Sequence, residues 1–168
     1  MELVVVVLGG ILALMQVKTN IIASARIEWA QNFRKLMSKL LTDTNMLNFH
    51  LKQVIELVEK DQMSEAEKLY NQKIELFKEV NESTNQIKLF LNNHKENEHI
   101  QLQELIEKYI VKVNDYKSLH NSNELIEMEQ NIIKQTQQML KQTWEDAKTL
   151  NIKEALNITW CKKNGVKI

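Results

Sequence analysis

Residues 22–58, IASARIEWAQNFRKLMSKLLTDTNMLNFHLKQVIELV, carry apolar side chains at Ile22, Trp29, Phe33, Met37, Leu40, Leu47, Leu51, Val54 and Val58. Steps of three, four and seven place these positions on one face of an α-helix, where a strand would show alternation. The stretch crosses Thr42-Asp43-Thr44-Asn45, four weak helix formers, yet contains neither proline nor glycine. One continuous helix and a helix kinked at that point both fit. The whole chain lacks proline, and it has no glycine between Ile11 and Asn164. With the strongest breakers of helical pattern absent, long helices and no strand are expected.

Working outward, Asp61-Gln62-Met63 reads as a turn, because Ser64 followed by Glu67 has the form of a capping box opening a second helix. Ala66, Tyr70, Phe77, Val80, Ile87 and Leu91 line its inner face. Residues 92–97, Asn-Asn-His-Lys-Glu-Asn, lack an apolar side chain and form the next turn. Ile100, Leu102, Leu105, Tyr109, Val113 and Tyr116 make a third stripe. Asn121-Ser122-Asn123 is the last turn, with Ser122 or Asn123 as N-cap. A fourth helix runs on to about Cys161, with Leu125, Met128, Ile132, Met139, Leu140, Ala147 and Leu150 inward. Gln135, Thr136, Gln138, Gln142 and Thr143 interrupt that stripe, either as a solvated face or as a polar seam in an oligomer. Alternating up and down, four such helices would bring the C-terminus back to the level where the first begins.

In the other direction lies MELVVVVLGGILALMQV, residues 1–17, uncharged from Leu3 to Val17 and followed at once by Lys18. About 17 residues is the lower limit for a helix that crosses the hydrocarbon core. A cleaved signal peptide would begin with a basic region and end with a small-x-small site; this segment has Glu2 and no Ala-x-Ala before Lys18. A buried core helix is the competing reading. Lys18, Arg26, Arg34, Lys35 and Lys39 follow the segment against the single acid Glu28. Basic residues favour the cytoplasmic side, so the N-terminus is expected outside and the body cytoplasmic. Gly9, Gly10 and Ala13 would let neighbouring spans pack closely. The expected division is a transmembrane segment at 1–17, a helical domain at 18–161 and a basic tail at 162–168. Trp160, Lys162 and Lys163 suit the headgroup level on the return.

Composition narrows the chemistry. Lysine plus arginine and aspartate plus glutamate both number 22, so no global field recruits nucleic acid, and the bases are interleaved with acids. The single cysteine, Cys161, excludes an intrachain disulfide and suits a reducing compartment. There is no glycine-rich phosphate loop, no nucleophile elbow and no HExxH motif. His50, His94, His99 and His120 are scattered, and Glu96 with His99 is one E-x-x-H pair where a di-iron bundle needs two. No catalytic, metal or cofactor site is expected, and the chain reads as a non-enzyme.

Residues 24–40, SARIEWAQNFRKLMSKL, resemble the juxtamembrane stretch of small bacterial single-span membrane proteins, in which R-x-x-W-x4-R follows a span and enters a helix. Arg26, Trp29 and Arg34 match; Ala30 stands where a larger aliphatic is usual. The likeness covers 17 residues and marks an architecture. Some proteins of this build are antiphage membrane effectors of the Hailong type. The resemblance implies a bacterial inner-membrane homo-oligomer that opens a pore and depolarises the membrane when a regulatory protein, or a partner that makes a nucleotide or oligonucleotide, signals infection. Lys18, Arg26, Trp29 and Arg34 would then sit at the lipid interface. A passive membrane-tethered scaffold or adaptor is the alternative.

Overall fold

The computed structural model of the chain describes residues 2–91, 97–115 and 122–148, with the side chains of residues 2–5, 7, 8 and 122 outside the description. Four helices account for nearly all of it: α1 (Glu2–Glu59), α2 (Met63–Phe90), α3 (Asn97–Asn114) and α4 (Ser122–Lys148). No strand occurs among the described residues. The fold is an all-α four-helix bundle, as the apolar stripes predict.

α1 runs unbroken through residues 42–45. Thr44 is fully buried, and its hydroxyl donates to the carbonyls of Leu40 (2.8 Å) and Leu41 (3.0 Å) one turn back. A buried threonine thereby satisfies its polar atom within its own helix, and the weak formers at 42–45 do not break it.

The α1–α2 turn falls where expected, but by another device. Asp61 adopts a left-handed φ of 57°, the Gln62 amide donates to the Leu57 carbonyl (2.9 Å), and the Asp61 amide donates to that of Val58 (3.1 Å). This is a Schellman closure with aspartate in the position glycine usually takes. The capping-box expectation is corrected: α2 starts from Gln62 without a side-chain cap, and Ser64 already lies inside the helix. Asn97 likewise opens α3, and Ser122 and Asn123 lie within α4, so they are not turn residues. The remainder of those expected turns, 92–96 and 121, and the extension of α4 to Cys161 lie outside the described residues.

The chain divides into two compact units, Met1–Gln31 with Met139–Ile168, and Asn32–Gln138. Within the second, side-chain pairs fix the neighbours of each helix. Lys39 reaches Glu79 (2.9 Å) and Phe33 meets Phe90 (6.4 Å between centroids), joining α1 to α2. Lys88 and Glu107 (2.7 Å) join α2 to α3, Lys112 and Glu124 join α3 to α4, and Asn45 and Glu129 (3.0 Å) join α4 back to α1. Between α1 and α2 the numbers run in opposite directions, 33 to 39 against 90 to 79, so these two helices are antiparallel, and the pairs as a set place the four helices in the order 1-2-3-4 around one core. That core holds Phe33, Leu40 and Leu47 from α1, Val80 and Ile87 from α2, Leu102, Ile106, Tyr109 and Val113 from α3, and Ile132 from α4. In the first unit, Ala30, Met139, Leu140 and Ala147 are buried.

Among the described residues no helix is long and apolar enough to cross a membrane. The expected span at 1–17 falls in part on Met1 to Val5, Val7 and Leu8, whose side chains are outside the described set.

Candidate functional site

The first third of α1 departs most from the rest of the fold. Val6, Ile11, Leu12 and Leu14 are 73, 49, 65 and 72 % exposed. At 3.6 residues per turn these four fall in four different quadrants around the helix axis. Gly9, Gly10 and Ala13 are exposed as well. A Cβ built on Gly9 or Gly10 would meet nothing within 4 Å. The half-buried positions begin at Met15 and continue with Lys18, Thr19 and Ile22. Apolar side chains are therefore exposed on every side of this part of α1.

The residues expected at a lipid interface separate. Arg26 is half-buried, and its Nη1 donates to the Asp146 main-chain carbonyl at 2.8 Å. This bond joins α1 to α4 within the first unit. Trp29 is half-buried and Arg34 exposed, eight positions beyond Arg26 on the same helix. Trp160, Lys162, Lys163 and Cys161 lie outside the described residues. So do His94, Glu96 and His120; His50 and His99 are half-buried. Among the described residues no group of three or more His, Cys, Asp or Glu could hold a metal ion.

Inside the second unit the bundle carries polar groups that sequence reading passed over. Tyr109 is almost fully buried and shares a hydrogen bond with Thr44. Burial pushes its phenol up to about 12, the Thr44 bond works against that rise, and the Glu129 carboxylate adds to it. Lys39 is likewise raised to about 12, by its hydrogen bonds to Asp43 and Glu79. Of the polar residues that interrupt the α4 stripe, Thr136 is buried, Gln135 and Thr143 are half-buried, and Gln138 and Gln142 are exposed. The Thr136 hydroxyl has no hydrogen-bond partner among the described residues. The polar run is thus split between core and surface. Tyr109 already stands in the third apolar stripe of the sequence; its partner Thr44 lies in the segment where a continuous and a kinked helix both fit.

No family model, curated protein or solved structure matches the chain.

Proposed function

We propose that this chain is a membrane-embedded homo-oligomeric effector, anchored by the apolar segment of α1, whose assembly opens a path for ions and depolarises the membrane. One observation carries the reading: Val6, Ile11, Leu12 and Leu14 are exposed on all sides of one helix. A protein partner covers one face of a helix. Lipid covers every face, and its hydrocarbon is the surrounding in which such a surface costs nothing.

Length agrees with this. Residues 1–17, at about 1.5 Å per residue, would extend about 26 Å as a helix, near the lower limit for crossing the hydrocarbon core. Ions require an aqueous route that a single helix does not enclose, so conduction implies several copies. Gly9 and Gly10, with open space where a side chain would be, permit close approach of neighbouring backbones. The basic residues after the segment orient the bundle toward the cytoplasm. The likeness of residues 24–40 to juxtamembrane stretches of antiphage effectors supports a role in defence.

The test is expression of the full chain in bacterial cells with a potential-sensitive dye, paired with light scattering of detergent-solubilised protein. Depolarisation and an oligomer are expected, both weakened by Gly9→Leu with Gly10→Leu. A membrane-anchored monomer that leaves the potential intact would overturn the pore and leave the tethered adaptor.

A further inference from the structure

The second unit exposes two groups of large apolar side chains. On α1 and α4, Met46, Phe49 and Ile126 lie within about one turn of the Asn45–Glu129 bond, and all three are about half exposed. On α2 and α3, the Lys88–Glu107 pair marks the sides that face each other. Val111 lies one turn past Glu107. Tyr70, 18 residues before Lys88 and therefore about five full turns away, stands on the same side of α2, with Ile74 a turn from it. Val111, Tyr70 and Ile74 are exposed as well. The two groups stand at one height: counted from Asp61 in the α1–α2 turn, Phe49 is 12 residues away, Tyr70 9 and Ile74 13. Val111 follows two residues after Tyr109, which is bonded to Thr44 of α1. With the helices in the order 1-2-3-4, the α1–α4 and α2–α3 faces are opposite sides of the bundle.

Single exposed apolar residues are ordinary, but clustered ones mark a docking surface. Charge points to the occupant. Lys52, one turn past Phe49, and Glu67, one turn before Tyr70, are both exposed, and each lies on the side of its group toward the α1–α2 turn. Copies set side by side with α1 parallel bring Lys52 of one to Glu67 of the next. They also set Phe49 and Ile126 against Tyr70, Ile74 and Val111. We infer that these opposite faces bind one another, joining copies of this chain head to tail through their helical bodies. Because the two faces differ, the contact is heterologous and repeats from copy to copy until a ring closes. Parallel α1 helices are also what one bilayer requires, since each carries its apolar segment at the same end; an antiparallel pairing would send one segment away from the lipid. The inference rests on the membrane homo-oligomer proposed above and adds the faces through which its bodies meet.

The experiment uses the full chain in detergent, with Cys161→Ser as background and Lys52→Cys, Glu67→Cys or both added. Both positions are exposed and the apolar residues stay in place, so the fold is kept, which far-UV circular dichroism checks. A short bismaleimide cross-linker is read on a denaturing gel, and light scattering gives the native size. The double variant should yield a covalent ladder of dimer, trimer and larger species, while each single variant stays monomeric on the gel. Adding Phe49→Glu to the double variant should abolish the ladder. Covalent dimers from a single variant, a ladder that survives Phe49→Glu, or no ladder from a double variant that is oligomeric by light scattering would overturn these faces and leave the oligomer standing. A parent protein that is monomeric by light scattering would overturn the oligomer itself and this inference with it, so the two failures are distinguishable.

Discussion

Tyr109 and Asp61 show how single residues set the stability of this bundle. Because burial holds Tyr109 protonated to about pH 12, the folded state keeps a proton that the unfolded chain releases near pH 10. Its contribution is complete below about 10 and is lost as pH rises toward 12. Lys39, also raised, loses its contribution over the same window, though its half-exposed side chain makes that share small. Tyr109→Phe should cost about 1 kcal/mol at pH 8, the net value of one hydrogen bond. Its deficit should shrink at pH 11, where the parent alone has begun to lose this term; urea unfolding at the two pH values checks it. At Asp61 the left-handed backbone favours glycine. Asp61→Gly should raise stability by about 0.5–1 kcal/mol and Asp61→Val lower it, measured as shifts in the urea midpoint. The position of this turn follows from the Ser64 to Glu67 capping-box pattern, although the structure forms no such cap. Its mechanism was not legible, because the signal that marks a Schellman closure in sequence is glycine, and none is present.

At the scale of the helix, periodicity did most of what it can do. Phe33, Met37, Leu40, Leu47 and Leu51 were read as one inward face and are buried. Phe33→Ala should destabilise by about 3–5 kcal/mol, the usual cost of emptying a filled aromatic site, in the same denaturant assay. Tyr70, Val58 and Ile100 were also read as inward but are exposed. Val58 and Ile100 lie close to helix ends, where a stripe continues in sequence after its neighbours have ended. Conversely Ser83, Thr84 and Thr136 are buried, and a pattern built on hydrophobicity passes over small polar residues. Thr84, like Thr44, donates to the carbonyl four residues back, here Val80 at 2.7 Å, which lets it sit inside. Arg26 was assigned to lipid because of the residues around it. Its bond to the Asp146 carbonyl depends on a helix 120 positions away, and no local reading could supply that partner. Arg26→Gln should loosen the α1–α4 contact at Asp146, seen as faster amide exchange in α4 around that residue with the core of the second unit unchanged.

For the whole molecule, class and helix order followed from the sequence, whereas the pairing of helices depends on contacts such as Asn45 with Glu129 that join distant segments. The candidate site was legible as an apolar run, since Leu3 to Val17 contains no charge. The exposure of its apolar side chains on every side was not, because it depends on which helices pack beside α1. The central claim is that this end of α1 resides in lipid. Its most direct test is flotation of the full chain on liposomes after washing at pH 11 in carbonate. Recovery of the protein in the floating fraction, lost on deletion of residues 2–17, is the result this account predicts. Full-length protein left in the dense aqueous fraction would contradict it.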